Sequence, residues 1–220
     1  MSKEIYNNSF FNFYIDKILG KAWGHFKDNW STLILSVMAT SASFLGVFAV
    51  YALMLGLVNS SYFPAWSFFV LSAILVIALV ALLTIISAGW IKLVLNIVDH
   101  DKAKVGDLFL EYKKIFSFFT VMFLYSAMVI AGIMFFIIPG IVLGLMFMWA
   151  PILVVDKNMG PIEALSKSKE LTNGAKWDLF LVKIVESGGS YISGISIIGI
   201  VVAVPLITIS KILMYRHVQR

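Results

Sequence analysis

Asn29 to Ile91 reads NWSTLILSVMATSASFLGVFAVYALMLGLVNSSYFPAWSFFVLSAILVIALVALLTIISAGWI, 63 residues without one Asp, Glu, Lys or Arg. At about 20 residues per membrane crossing, this stretch holds two helices and their connection. The connection is Asn59-Ser60-Ser61-Tyr62-Phe63-Pro64-Ala65-Trp66. Turn formers, a proline and interfacial aromatics there end one helix and start the next, giving spans over 33–58 and 67–91. Composition agrees: of 220 residues, 60% are hydrophobic and only 13% charged, outside the balance of a soluble domain. The expected fold class is all-α, a polytopic transmembrane helix bundle forming a single domain over 1–220.

A second uncharged stretch runs from Ile115 to Val155, interrupted at Ile138-Pro139-Gly140. Proline removes a backbone donor and glycine tolerates a sharp turn, so a helical hairpin is expected, with its helix break at Pro139 and Gly140. The second arm, Ile141 to Val155, is short for a bilayer of about 30 Å and contains Pro151, which calls for local thinning of the bilayer or irregular backbone. A third uncharged stretch, Ser187 to Ser210, contains Pro205 and follows an apolar segment carrying Asp178, Lys183 and Glu186. Trp177 to Ser187 reads either as a surface helix before one long span, or as the first of two short spans turning near Gly188-Gly189 or Gly194.

Charge favours the second reading. The basic residues fall before the first span, from Lys92 to Lys114, from Lys157 to Lys183 and from Lys211 onward, while the connections around Ser60, Pro139 and Gly189 contain none. Six spans with both termini cytoplasmic place every Lys and Arg inside or close to it. Five spans would put Lys211, Arg216 and Arg220 outside. The expected location is the plasma membrane, and the first span is expected to be retained, because the short basic start of a secretory signal is missing. The net charge of +5 then serves anionic lipid head groups rather than nucleic acid.

Three cytoplasmic segments have amphipathic spacing: the N-terminal 1–30, with Phe10, Phe11, Trp23, Phe26 and Trp30 among lysines; the connection 99–114, where the stretch from Val105 to Ile115 carries Leu108, Phe109, Tyr112 and Ile115 at helical spacing; and 156–176, whose helix starts at Pro161 and stops at Asn173-Gly174. Packing on the bilayer and bundle is the plain reading, and binding of a membrane or cytoplasmic protein partner the functional one.

The run Ile138-Pro139-Gly140, then Ala150-Pro151-Ile152-Leu153-Val154-Val155-Asp156, Pro161-Ile162-Glu163-Ala164-Leu165-Ser166-Lys167-Ser168 and Gly174-Ala175-Lys176-Trp177 resembles the glycerophosphoryl diester phosphodiesterase membrane-domain family and related uncharacterised bacterial multi-span proteins. Pro205 followed by Met214-Tyr215-Arg216 is similar to the way those proteins end. The resemblance implies that any phosphodiesterase site belongs to a separate soluble domain, so no catalytic residue carries over.

Chemistry is sparse. The absence of cysteine excludes thiolate metal sites and thiol catalysis. Asp99-His100-Asp101 with Asp107 lacks the glycine and terminal glutamate of a calcium loop, and a second histidine for zinc, and reads as a solvated loop capping the second span. No phosphate loop, nucleophile elbow or zinc-protease motif is present. The expectation is therefore a non-enzyme without cofactor or metal. Lys183 and Glu186 are the exception: three apart on one helical face, with Glu186 about 13 Å from a start at Trp177, they are a candidate intramembrane polar pair. The alternative is a lysine that reaches the surface and neutralises its neighbour. Two functions follow: a non-catalytic module organising lipid or protein partners, and a small transporter or permease component built on Pro139, Pro151, Pro205 and the Lys183/Glu186 pair.

Overall fold

The computed structural model describes residues 14–59, 65–100, 102–174, 179–180, 183–184 and 197–219, and among them there are helices and turns but no strand. A π-helical turn, Tyr14–Leu19, leads into α1 (Gly20–Asp28). Two long helices follow, α2 (Trp30–Asn59) and α3 (Ala65–His100). The short α4 (Asp107–Leu110) and a 3-10 turn (Glu111–Lys114) precede α5 (Ile115–Phe135), α6 (Ile137–Met146), α7 (Ala150–Lys157) and α8 (Pro161–Leu171). The last helix is α9 (Ile197–Val218). Five stretches among the described residues are long and apolar enough to cross a membrane: 30–56, 69–100, 107–135, 137–157 and 201–218.

The bundle has two tiers. In one, α1, α4, α7, α8 and the C-terminal parts of α3 and α9 bury a common core that includes Leu93, Ile97, Trp149, Leu153, Ile209 and Tyr215. In the other, α2, the first half of α3, α5 and α6 present large apolar side chains outward, among them Phe48, Phe69, Ile77, Phe123, Met134 and Phe136. A hydrocarbon solvent accounts for this second tier, since apolar surface there needs no partner. The 36 residues of α3 extend about 54 Å at ~1.5 Å per residue, well beyond a bilayer core of about 30 Å. Its surplus length is what builds the packed tier.

Three expectations change. The hairpin reverses at Phe136, which is extended at φ −162° and ψ 153°, upstream of Ile138-Pro139-Gly140. Pro139 lies in the first turn of α6, where a missing N–H costs nothing. Gly140 serves close approach instead: a Cβ there would collide with the backbone of Ile133, and one on Gly132 with Gly140. The segment 105–115 is not one helix but α4 followed by the 3-10 turn, with Leu108 buried and Phe109, Leu110 and Tyr112 exposed. Asp99 and His100 belong to the last turn of α3 rather than to a loop, and α3 runs nine residues past the expected end at Ile91. Helix α8 does start at Pro161, and its end is followed by Gly174 at φ 85°, a conformation that glycine adopts without strain.

The backbone between α6 and α7 is broken, and α8 mends it. Pro151 has no N–H to give to Phe147, whose carbonyl takes the Ala150 N–H instead, at 3.1 Å. That leaves the Met146 carbonyl without its helical donor and the Trp149 N–H without its acceptor. Ser168 serves both, its Oγ donating to Met146 O at 2.9 Å and accepting from Trp149 N at 3.1 Å. Thr172 adds a second donor to Met146 O at 3.2 Å. One on α8 and the other at its C-cap, one helical turn apart, these hydroxyls replace the bonds lost at the break.

Candidate functional site

Arg and Asp are placed by the ends of three helices. Asp99 stands on the last turn of α3, Asp156 on that of α7 and Arg216 on that of α9. Arg216 Nη1 and Nη2 each donate to Asp156 at 2.7 Å, while Nε and Nη2 donate to Asp99 at 3.0 and 2.5 Å. Tyr215 Oη donates to the same Asp156 carboxylate at 2.8 Å, and its ring lies 5.7 Å from that of buried Trp149. A guanidinium with two planar edges satisfies two carboxylates at once. This is an ionic clamp that closes one end of the bundle. Nearby, Lys114 pairs with Glu111 at 2.8 Å and donates to Val155 O at 2.8 Å, and Asp107 accepts from Asn96 at 3.0 Å and from Lys104 N at 3.1 Å. The polar groups at this end are tied into structure.

Away from the clamp lies a cavity of about 560 Å³ with walls from α2, α3, α5, α7 and α9. Its volume is in the range of small-molecule sites. Most of the wall is apolar, with Phe44, Leu83, Ile86, Phe118, Met122 and Val204 contributing. Its polar groups are Thr40, Ser41, Ser87, Trp90, Tyr125, Thr208 and Lys211, of which Trp90 Nε1 donates to Thr208 Oγ1 at 3.1 Å and Thr208 Oγ1 donates to Val204 O at 2.8 Å. A second cavity of about 430 Å³ adjoins it and is lined by Lys183, Phe180, Gly140, Gly144 and Ile133. Tyr125, Met148 and Lys211 line both, and Tyr125 Oη donates to Gly144 O at 3.2 Å. These three side chains form the shared wall.

Lys183 thus faces a cavity, in the company of Lys211, whereas Glu186 lies outside the described residues, as do Gly188, Gly189 and Gly194. Pro139 sits in the first turn of α6, Pro151 in the first turn of α7, and Pro205 lies buried inside α9. Of the four expected helix-break positions, these three prolines and Gly140, only Gly140 and Pro151 line either of these two cavities. Sequence reasoning missed Arg216, Asp156, Asp99 and Lys211, treating the cations as flank charges. A signal existed: the chain uses arginine only at 216 and 220 among 17 basic residues, and acids end the second and fourth apolar stretches. Among the described residues no group of His, Asp and Glu is placed to hold a metal.

The fold is thus an all-α helical bundle with five stretches among the described residues long and apolar enough to cross a membrane, and it carries a cavity between its helices. Residues 114–220 match the model of a family described as protein of unknown function, DUF975. That match takes in α5 to α9, hence Asp156, Arg216, Lys183 and Lys211. It provides no link to the phosphodiesterase membrane domains. No curated protein and no solved structure matches the chain.

Proposed function

We propose that this chain is a non-catalytic membrane module that holds lipid between its helices. It spans the plasma membrane, with the packed tier and both termini on the cytoplasmic side. The observation that carries the reading is the 560 Å³ cavity, walled mostly by apolar side chains from five helices, a shape and polarity suited to an acyl chain. The crowding of Lys residues at the clamp end supports the orientation. Phe109, Leu110 and Tyr112, exposed at the packed tier, offer a surface for a protein partner alongside the lipid role.

The test is to purify the full chain in a mild, neutral detergent, wash it, and quantify the lipid that remains by mass spectrometry. About one lipid per chain is expected, falling severalfold in Ser87→Phe, where a ring would occupy the cavity beside an exposed position. A chain that washes free of lipid while still folded removes the proposal.

A small transporter is the second reading, favoured by the two adjoining cavities that share Tyr125, Met148 and Lys211. Met148 and Lys211, which line both volumes, are long unbranched side chains of the kind that a passage with a movable wall would use.

A further inference from the structure

Most hydroxyls in the wall of the larger cavity already donate within the protein. Thr40 Oγ1 donates to Ser36 O at 2.8 Å, Ser41 Oγ to Val37 O at 2.9 Å and Thr208 Oγ1 to Val204 O at 2.8 Å, each along its own helix. Tyr125 Oη donates to Gly144 O at 3.2 Å, and Trp90 Nε1 to Thr208 Oγ1 at 3.1 Å. The remaining hydroxyl among the described lining residues, Ser87, stands at an exposed position. A hydroxyl has one hydrogen and two lone pairs. With the hydrogen engaged, what Thr40, Ser41 and Tyr125 offer a ligand is an acceptor.

These acceptors fall at a similar depth. Helices α2 and α5 leave from the clamp end, with Thr40 ten residues past Trp30 and Tyr125 ten past Ile115, so each lies about 15 Å along its helix at ~1.5 Å per residue. Apolar lining continues beyond them: Phe44 one turn past Thr40, Val204 one turn past Thr208 and Leu83 two turns past Trp90.

In hydrocarbon no water is at hand for open lone pairs, so an occupant that brings a donor gains over one that is purely apolar. An anion would set lone pairs against lone pairs, and the one charged side chain among the described lining residues, Lys211, already has an interaction within the chain. An ammonium would find no carboxylate among those residues, and a charge left unpaired away from water is costly. A neutral hydroxyl meets neither obstacle.

Building on the lipid-holding reading, we infer that the occupant is an uncharged lipid with a free hydroxyl, of the diacylglycerol type. Its hydroxyl donates to the acceptors at Thr40, Ser41 and Tyr125, and one acyl chain runs past Phe44 and Leu83 while the other stays in the bilayer.

The experiment offers the washed full chain dioleoylglycerol, its 3-acetyl ester and dioleoylphosphatidic acid, singly and in competition, with retained lipid read by mass spectrometry. The acyl chains are the same in all three; the ester lacks only the donor, and the acid replaces it with charge. A preference for dioleoylglycerol over each of the others of about tenfold, the equivalent of ~1.4 kcal/mol, is expected. It should be kept in Thr40→Ser and lost when Thr40→Val, Ser41→Ala and Tyr125→Phe are combined. If the combined variant does not fold, the competition in the unaltered chain decides alone. Equal retention of dioleoylglycerol and its ester, a preference for the acid, or a preference that survives the combined variant overturns the hydroxyl inference while the lipid-holding reading remains. A folded chain that retains none of the three overturns both.

Discussion

Arg216 reaches Asp99 and Asp156 together because its guanidinium presents two donor edges in one plane, a geometry that a lysine ammonium lacks. Arg216→Lys should therefore keep the charge, lose one carboxylate, and destabilise the packed tier by about 2 kcal/mol. Unfolding of the two chains in mixed micelles titrated with a denaturing detergent would measure it; equal midpoints would mean that the clamp contributes nothing. Gly89 is a different kind of constraint. It lies against the backbone of Leu108, where an added Cβ would overlap the carbonyl group, so Gly89→Ala should push α4 off α3 and cost about 1–3 kcal/mol. The rarity of arginine singles out Arg216 in the sequence, but neither its partners nor the task of Gly89 can be read there. Arg216 lies 60 residues from Asp156 and 117 from Asp99, and spacing alone cannot pair groups that far apart.

Among the elements, α8 shows how a helix that reads as a surface segment acquires an internal task. Its start at Pro161 and its stop before Asn173-Gly174 follow local rules that the residues carry themselves. That Ser168 and Thr172 would repair the break at Pro151 does not, because it depends on α8 folding back along α7. Ser168→Ala leaves Trp149 N–H, and part of the demand of Met146 O, unmet in a buried place, and should cost about 2 kcal/mol. Amide hydrogen exchange at Trp149 is the sharper check, since faster exchange there with little change in α3 is the expected pattern. The reversal at Phe136 teaches a related lesson. Proline and glycine were read as the turn, yet Pro139 is tolerated at a helix start and Gly140 is needed for contact with α5, so the breaker residues mark the helix start and not the bend.

For the molecule as a whole, the clamp constrains topology. α3, α6–α7 and α9 all end at it, while α2 and α5 leave from that end, Lys114 at the start of α5 reaching Val155 O near the end of α7. Compartment reporters placed after Ser61 and after Gly189 should read the side opposite to one at the C-terminus. If the Gly189 reporter reads the same side as the C-terminus, the six-span reading fails. The sequence by itself determined that this is a bundle of apolar helices, because hydrocarbon forces each span to satisfy its own backbone and the lengths of uncharged stretches can be counted. Only the tertiary structure decided which charges pair, how the broken helix is mended and where the cavity lies, since each depends on distances between residues that the chain keeps far apart and the packing of separate helices brings together.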